Sequence, residues 1–177
     1  MGSGSMGAFS VLGEKFQRAS CDFSYEDGNF YVTDLDIRHP GGVFSGKVMG
    51  VDGEIKIDVH STLPMHAMLD MARSIAPEDV KLPLTLEIKG DPELKVYGTV
   101  GMGKGWKGPF RVDRLQIEAA VTDVSYQGVE FASAAARGEL IGRSINVTQL
   151  DLAREDGHVK LEGSYLGTCL LYTSPSP

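Results

Sequence analysis

Cysteine is nearly absent from this chain of 177 residues: Cys21 and Cys169 are the only two. They form no CxxC or metal-ligand spacing, so a disulfide scaffold and a zinc ribbon are both excluded. A basic surface is missing too. Seventeen Lys and Arg stand against 24 Asp and Glu, a net charge of −7, whereas phosphate binding needs a positive face. No run of 18 or more apolar residues occurs, so no segment reads as a membrane-spanning helix. No basic n-region and apolar core mark a signal peptide at the start.

What is present is alternation. Ile55, Ile57 and Val59 alternate with Glu54, Lys56, Asp58 and His60; Leu82, Leu84, Leu86 and Ile88 alternate with Lys81, Pro83, Thr85 and Glu87. Leu94, Val96, Gly98 and Val100 follow the same rule, as do Val159 and Leu161. A strand sends successive side chains to opposite faces, so each stretch has one apolar and one wet face. Glycines punctuate these strands. Asp27-Gly28-Asn29, Pro40-Gly41-Gly42, Asp52-Gly53, Gly90-Asp91, Gln127-Gly128 and Asp156-Gly157 are turn signals. The expected fold is all-β and mainly antiparallel: an extended, curled meander of repeated hairpins forming a groove-like sheet.

One segment breaks the period. Met65, Met68, Leu69, Ala72, Ile75 and Ala76 make a helical stripe after Pro64, and Pro77 stops it. A single helix over 64–76 is expected. The string Val32-Thr33-Asp34-Leu35-Asp36-Ile37 recurs as Val147-Thr148-Gln149-Leu150-Asp151-Leu152, and more weakly as Val112-Asp113-Arg114-Leu115-Gln116-Ile117. A repeated hairpin points to a stackable sheet. Residues 1–7 read as a glycine-rich lead-in or linker and 8–167 as the β-repeat region. Residues 168–177 break every preceding pattern and read as a non-native tail.

Chemistry-bearing motifs are scarce. Gly103-Lys104-Gly105-Trp106-Lys107-Gly108 matches G-x-G-x-x-G, but Pro109 and a strand pattern follow it rather than a helix. A hairpin loop is the better reading. His60 and His66, with Asp58 nearby, are the one histidine pair worth testing as metal ligands, and their spacing matches no metal motif. Asp34, Asp36, Glu118 and Asp151 fall on strands whose solvated face explains them, and no serine sits in a nucleophile elbow. No catalytic residue, metal or cofactor is expected, and the chain reads as non-enzymatic.

The aromatic strand of Phe16, Phe23 and Tyr25, then Asp27-Gly28-Asn29-Phe30, Val32–Ile37, Phe44-Ser45-Gly46-Lys47-Val48 and Gly53–Ile57, resembles the C-terminal region of AsmA-family proteins. Leu82–Val100 fits the piece that often follows the helix, and the TamB-like relatives share related patterning. The resemblance covers most of 7–167 and rests on hydrophobic pattern and turn glycines. It implies a protein of the diderm bacterial envelope, periplasmic and anchored to the inner membrane by a helix outside this chain. It further implies a role in phospholipid transport between membranes and outer-membrane assembly. The partners would be acyl chains and other envelope proteins, with no nucleic acid.

Acyl chains ask only for continuous apolar surface, worth about 0.8 kcal/mol per buried methylene. The lining candidates are whole alternating sets: Leu35, Ile37, Ile55, Ile57, Val59, Leu84, Leu86, Ile88, Leu150 and Leu152. The same residues would equally serve a closed core beneath the helix. The alternative function is a structural or adhesive β-repeat module of a larger surface protein.

Overall fold

The computed structural model describes residues 1–11, 13–68, 86–102, 111–142 and 144–168. The architecture is the expected all-β meander: one antiparallel sheet of many strands, not closed into a barrel, with one short helix. The strands are β1 (Gly2–Met6), β2 (Phe9–Val11), β3 (Glu14–Phe16), β4 (Arg18–Glu26), β5 (Asn29–His39), β6 (Gly42–Val51) and β7 (Glu54–Ser61). They continue as β8 (Leu86–Ile88), β9 (Pro92–Gly101), β10 (Arg111–Tyr126), β11 (Val129–Ile141), β12 (Ser144–Arg154) and β13 (Gly157–Thr168). Ten of them lie side by side in the order β1-β4-β5-β6-β7-β9-β10-β11-β12-β13, while β8 pairs with the far end of β10. Residues 2–6, read from sequence as a lead-in, run antiparallel to β4. Strands β2 and β3 form a separate hairpin.

The predicted turns explain the tight returns. Asp27-Gly28, Asp52-Gly53 and Gln127-Gly128 all have positive φ at both residues. That is the twist-matched two-residue hairpin turn, which glycine and a short polar residue tolerate best. The helix occupies 65–68, opening with a bond from the Met68 N–H to the Pro64 carbonyl at 3.1 Å. The rest of the predicted helix, 69–76, lies outside the described residues, as do the Gly103–Gly108 string, Leu84 and the tail from Cys169.

The internal repeat has a structural meaning that alternation alone does not predict. In V-x-x-L the two apolar residues are three apart, which in a regular strand puts them on opposite faces. Here Val32 and Leu35 pair with Val48 and Gly46, two apart on β6. Val112 and Leu115 pair with Val100 and Gly98 on β9; Val147 and Leu150 pair with Gly138 and Ala136 on β11. Each copy of the repeat therefore carries one extra residue, a β-bulge, and both apolar residues share a face. Bulges bend a strand and increase its twist, which is how a long sheet curls.

The bulge in β5 contains Asp34 at φ 50°, and a second Val-Thr-Asp string ends at Asp123 with φ 47°. Aspartate enters this left-handed region more readily than other residues with a Cβ, and a β-branched residue does so poorly. Asp34→Val should therefore lower stability by about 1–2 kcal/mol. Asp34→Gly should stay within about 0.5 kcal/mol of the parent. Urea midpoints of the two variants check this.

Candidate apolar face

Cross-strand partners share a face, so the register assembles the site. One row takes a residue from each of the ten strands: Met6, Ala19, Ile37, Phe44, Ser61, Leu94, Ala119, Ala136, Leu150 and Leu161. Beside it run Leu35, Gly46, Val59, Val96, Ile117, Gly138 and Val147. A third row runs Phe23, Val32, Val48, Ile57, Gly98, Leu115 and Leu140. Ile55 lies in a fourth, between Gly50 and Val100. At about 4.8 Å per strand, nine gaps give the first row a contour of roughly 43 Å.

Seven of the ten candidates, Leu35, Ile37, Ile55, Ile57, Val59, Leu150 and Leu152, fall in these rows or directly beside them, Leu152 lying between Ala134 and Val159. Leu86 contributes only its backbone to the description. Ile88 pairs with Val124, in phase with Thr122 and Ser133 rather than with Val121 and Ala134, so it stands apart from the rows.

The middle of the face was missed at β10 and β11. Ala119, Ala134 and Ala136 carry too little hydrophobic contrast to advertise a buried face. The signal lay in the neighbours: Leu94, Val96 and Val100 alternate clearly and sit directly beside β10.

Burial is graded across this face. Val100 on β9 is fully buried, while Phe23 at one side and Val159 and Leu161 at the other are half exposed. Among the described residues the buried hydrophobics are only Phe16, Leu63, Ala67, Val100 and Val124. A sheet of this size with so few closed-off side chains keeps apolar surface accessible to a ligand or partner.

One end of the face is capped on the β5–β7 side. Phe9 and Phe16 of the β2–β3 hairpin stack at 5.0 Å, and Phe16 meets the His39 ring edge-on at 5.5 Å. The His39 Nδ1 accepts from the Gly41 N–H at 3.0 Å, which leaves its Nε2–H to donate to Glu14 at 3.2 Å. Beside it, the Ser61 hydroxyl accepts from the Leu63 N–H at 3.2 Å and holds the start of the helix, where Leu63 and Ala67 are buried.

The opposite face is charged and laced. Asp36, Ser45, His60, Lys95, Glu118, Arg137, Gln149 and Glu162 form one cross-strand row. Ion pairs join Arg38 to Asp36 at 2.9 Å, Lys47 to Asp58 at 3.2 Å, Arg114 to Glu139 at 2.7 Å and Arg137 to Glu118 at 3.6 Å. Exposed pairs of this kind contribute little to stability, so they specify which face stays wet more than they stabilise it.

The histidines tested as ligands do not converge: His60 pairs with Glu93 and His66 with Glu14. Among the described residues no group of His, Cys, Asp and Glu is arranged to hold a metal, and no helix is long and apolar enough to cross a membrane.

The Lys95 ammonium, hydrogen-bonded to Glu93 and attracting it, holds that carboxyl below its ordinary range, with His60 adding a smaller pull. The lowered value means that this pair stabilises the fold above the ordinary carboxylate range and loses its effect as pH falls through the Glu93 midpoint. Lys95→Gln should move the Glu93 midpoint upward, read by carboxyl-carbon NMR titration.

No protein-family model matches the chain, and neither a curated protein nor a solved structure matches it.

Proposed function

We propose that the chain is a non-enzymatic segment of an AsmA-like bacterial envelope protein whose apolar sheet face carries phospholipid acyl chains. In this reading it serves lipid transport between membranes and outer-membrane assembly, in the periplasm, with the inner-membrane anchor supplied by residues outside this chain. The observation that carries the reading is the row across ten strands, apolar at every position but Ser61 and half exposed at its two ends, Met6 and Leu161. An acyl chain needs no directed polar contact. It gains about 0.8 kcal/mol for each methylene withdrawn from water, so a long strip suits it better than a compact pocket. The bulges and turn glycines that curl the sheet would wrap such a strip around its cargo.

A second reading has its own support. Phe16, Leu63 and Ala67 are buried under the hairpin and helix start, which is how a closed structural or adhesive module would begin its core. Mass spectrometry of lipids retained by the purified chain separates the two. Bound phospholipid at near-stoichiometric amounts supports the conduit. A lipid-free protein that takes up no acyl probe supports the module and ends the lipid reading.

A further inference from the structure

The β2–β3 hairpin is an excursion from the main sheet. Met6 and Ala19 are cross-strand partners on the neighbouring strands β1 and β4. Residues 7–18 therefore leave the sheet and return to it at adjoining points, as a compact Ω-shaped loop does. Among the described residues, 9–11 and 13–16 make no backbone hydrogen bond to the main sheet. The first such bond comes after them, from the Gln17 N–H to the Arg38 carbonyl at 2.8 Å.

The hairpin lies on the apolar face. Its register puts Phe9, Val11, Glu14 and Phe16 on one side and Ser10 and Lys15 on the other. His39, two residues beyond Ile37 on β5, shares the apolar face, and Phe16 meets it edge-on while only 5% exposed. The helix start reaches the same end, where the Ser61 hydroxyl donates to the Met68 sulfur at 3.5 Å. Glu14 stands where hairpin and sheet meet. One of its carboxylate oxygens accepts from the His39 Nε2–H at 3.2 Å, and the two side chains are 18% and 9% exposed. The other oxygen lies 3.9 Å from His66, whose side chain is well exposed, so that contact adds little.

We infer that the hairpin is a strap latched by Glu14, which opens from the β5–β7 end of the apolar face while the sheet beneath stays folded. Three residue pairs make a hairpin too short to hold its shape alone, so its order depends on docking. Docking rests on Phe16 and on the Glu14–His39 bond. A segment held by so little opens at a lower free energy than the centre of a sheet. Gly7, at the entry, has room to turn, since a Cβ there would meet nothing within 4 Å. Opening uncovers His39 and the positions beside Ile37 and Phe44, and so lengthens the accessible apolar strip at its closed end. That this admits an acyl chain rests on the proposed function; the opening itself does not.

Amide hydrogen exchange of the whole chain, read residue by residue by NMR, tests the strap. Corrected for intrinsic rates, amides of 9–17 should exchange at least about tenfold faster than those of 94–100 in β9. Glu14→Ala loses a hydrogen bond to a charged group, so it should speed the hairpin amides about tenfold further and leave β9 unchanged. Glu14→Gln keeps an acceptor for the His39 Nε2–H and should speed them only about threefold. Lys15→Ala, on the outward side, should change nothing. Uptake of a fluorescent fatty acid should quicken in the same order and by the same factors. Hairpin amides no faster than β9, equal acceleration of both by Glu14→Ala, or an equal effect of Lys15→Ala overturns the strap. Uptake at one unchanged rate while exchange responds overturns its control of access. No uptake by any variant ends the acyl-chain reading instead, and the exchange rates still decide the strap.

Discussion

Gly98→Val should destroy the sheet at its centre. A Cβ at Gly98 would sit 2.1 Å from the Arg114 carbonyl oxygen and 2.9 Å from the Leu115 Cα, and the residue holds φ at 149°. Backbone atoms of β10 cannot yield as a side-chain tip would, so the strand pair must part. The clash and the strained backbone together should remove about 3–5 kcal/mol, a large share of the stability of a domain. The expected result is an insoluble or urea-sensitive protein. Gly46→Val should behave alike, since its Cβ would lie 2.2 Å from the Asp58 carbonyl oxygen. Gly128→Ala is the control: its Cβ meets nothing within 4 Å, leaving only the strain of φ 80°, so its loss should be limited to about 1–2 kcal/mol. Comparable urea midpoints for Gly98→Val and Gly128→Ala would refute the close-approach argument.

Val96→Glu should abolish lipid retention while the sheet survives. Val96 lies between Val59 and Ile117 on the apolar face and is half-buried. A carboxylate there would have to be solvated, and an acyl chain crossing that point would lose its continuous apolar floor. Retained phospholipid should fall at least tenfold, the equivalent of about 1.4 kcal/mol. Thr99→Glu is the matched control, because Thr99 belongs to the other phase of β9, between Lys56 and Arg114. Equal lipid retention in both variants, with both folded, would sink the acyl-chain reading.

Much of this molecule could be read residue by residue. Ile55, Ile57 and Val59 declare their face because side-chain direction in a strand is set by its own backbone. Asp27-Gly28 and Asp52-Gly53 declare their turns because the left-handed conformation is a local preference. The helix start after Pro64 was legible for the same reason. The repeat was visible as a string, but its role as a bulge was not. Whether Val32 and Leu35 share a face depends on how many β6 residues lie opposite them, and that is a property of two strands. The contact of Glu14 with His39 had no sequence signal, since 25 residues separate them. The alanines of β10 and β11 took their place in the apolar face only through their neighbours.

The sequence by itself therefore determined the strands, the tight turns and the apolar phase of each strand, all consequences of short-range geometry. Tertiary structure decided the rest: that β9 lies between β7 and β10, that the bulges in β5, β10 and β12 keep the rows in phase, and that β13 ends the described sheet with Leu161 half exposed. Register is the physical reason. Hydrogen bonds between strands fix which residues stand opposite, and a one-residue slip would turn every apolar side chain of a strand to the wet face.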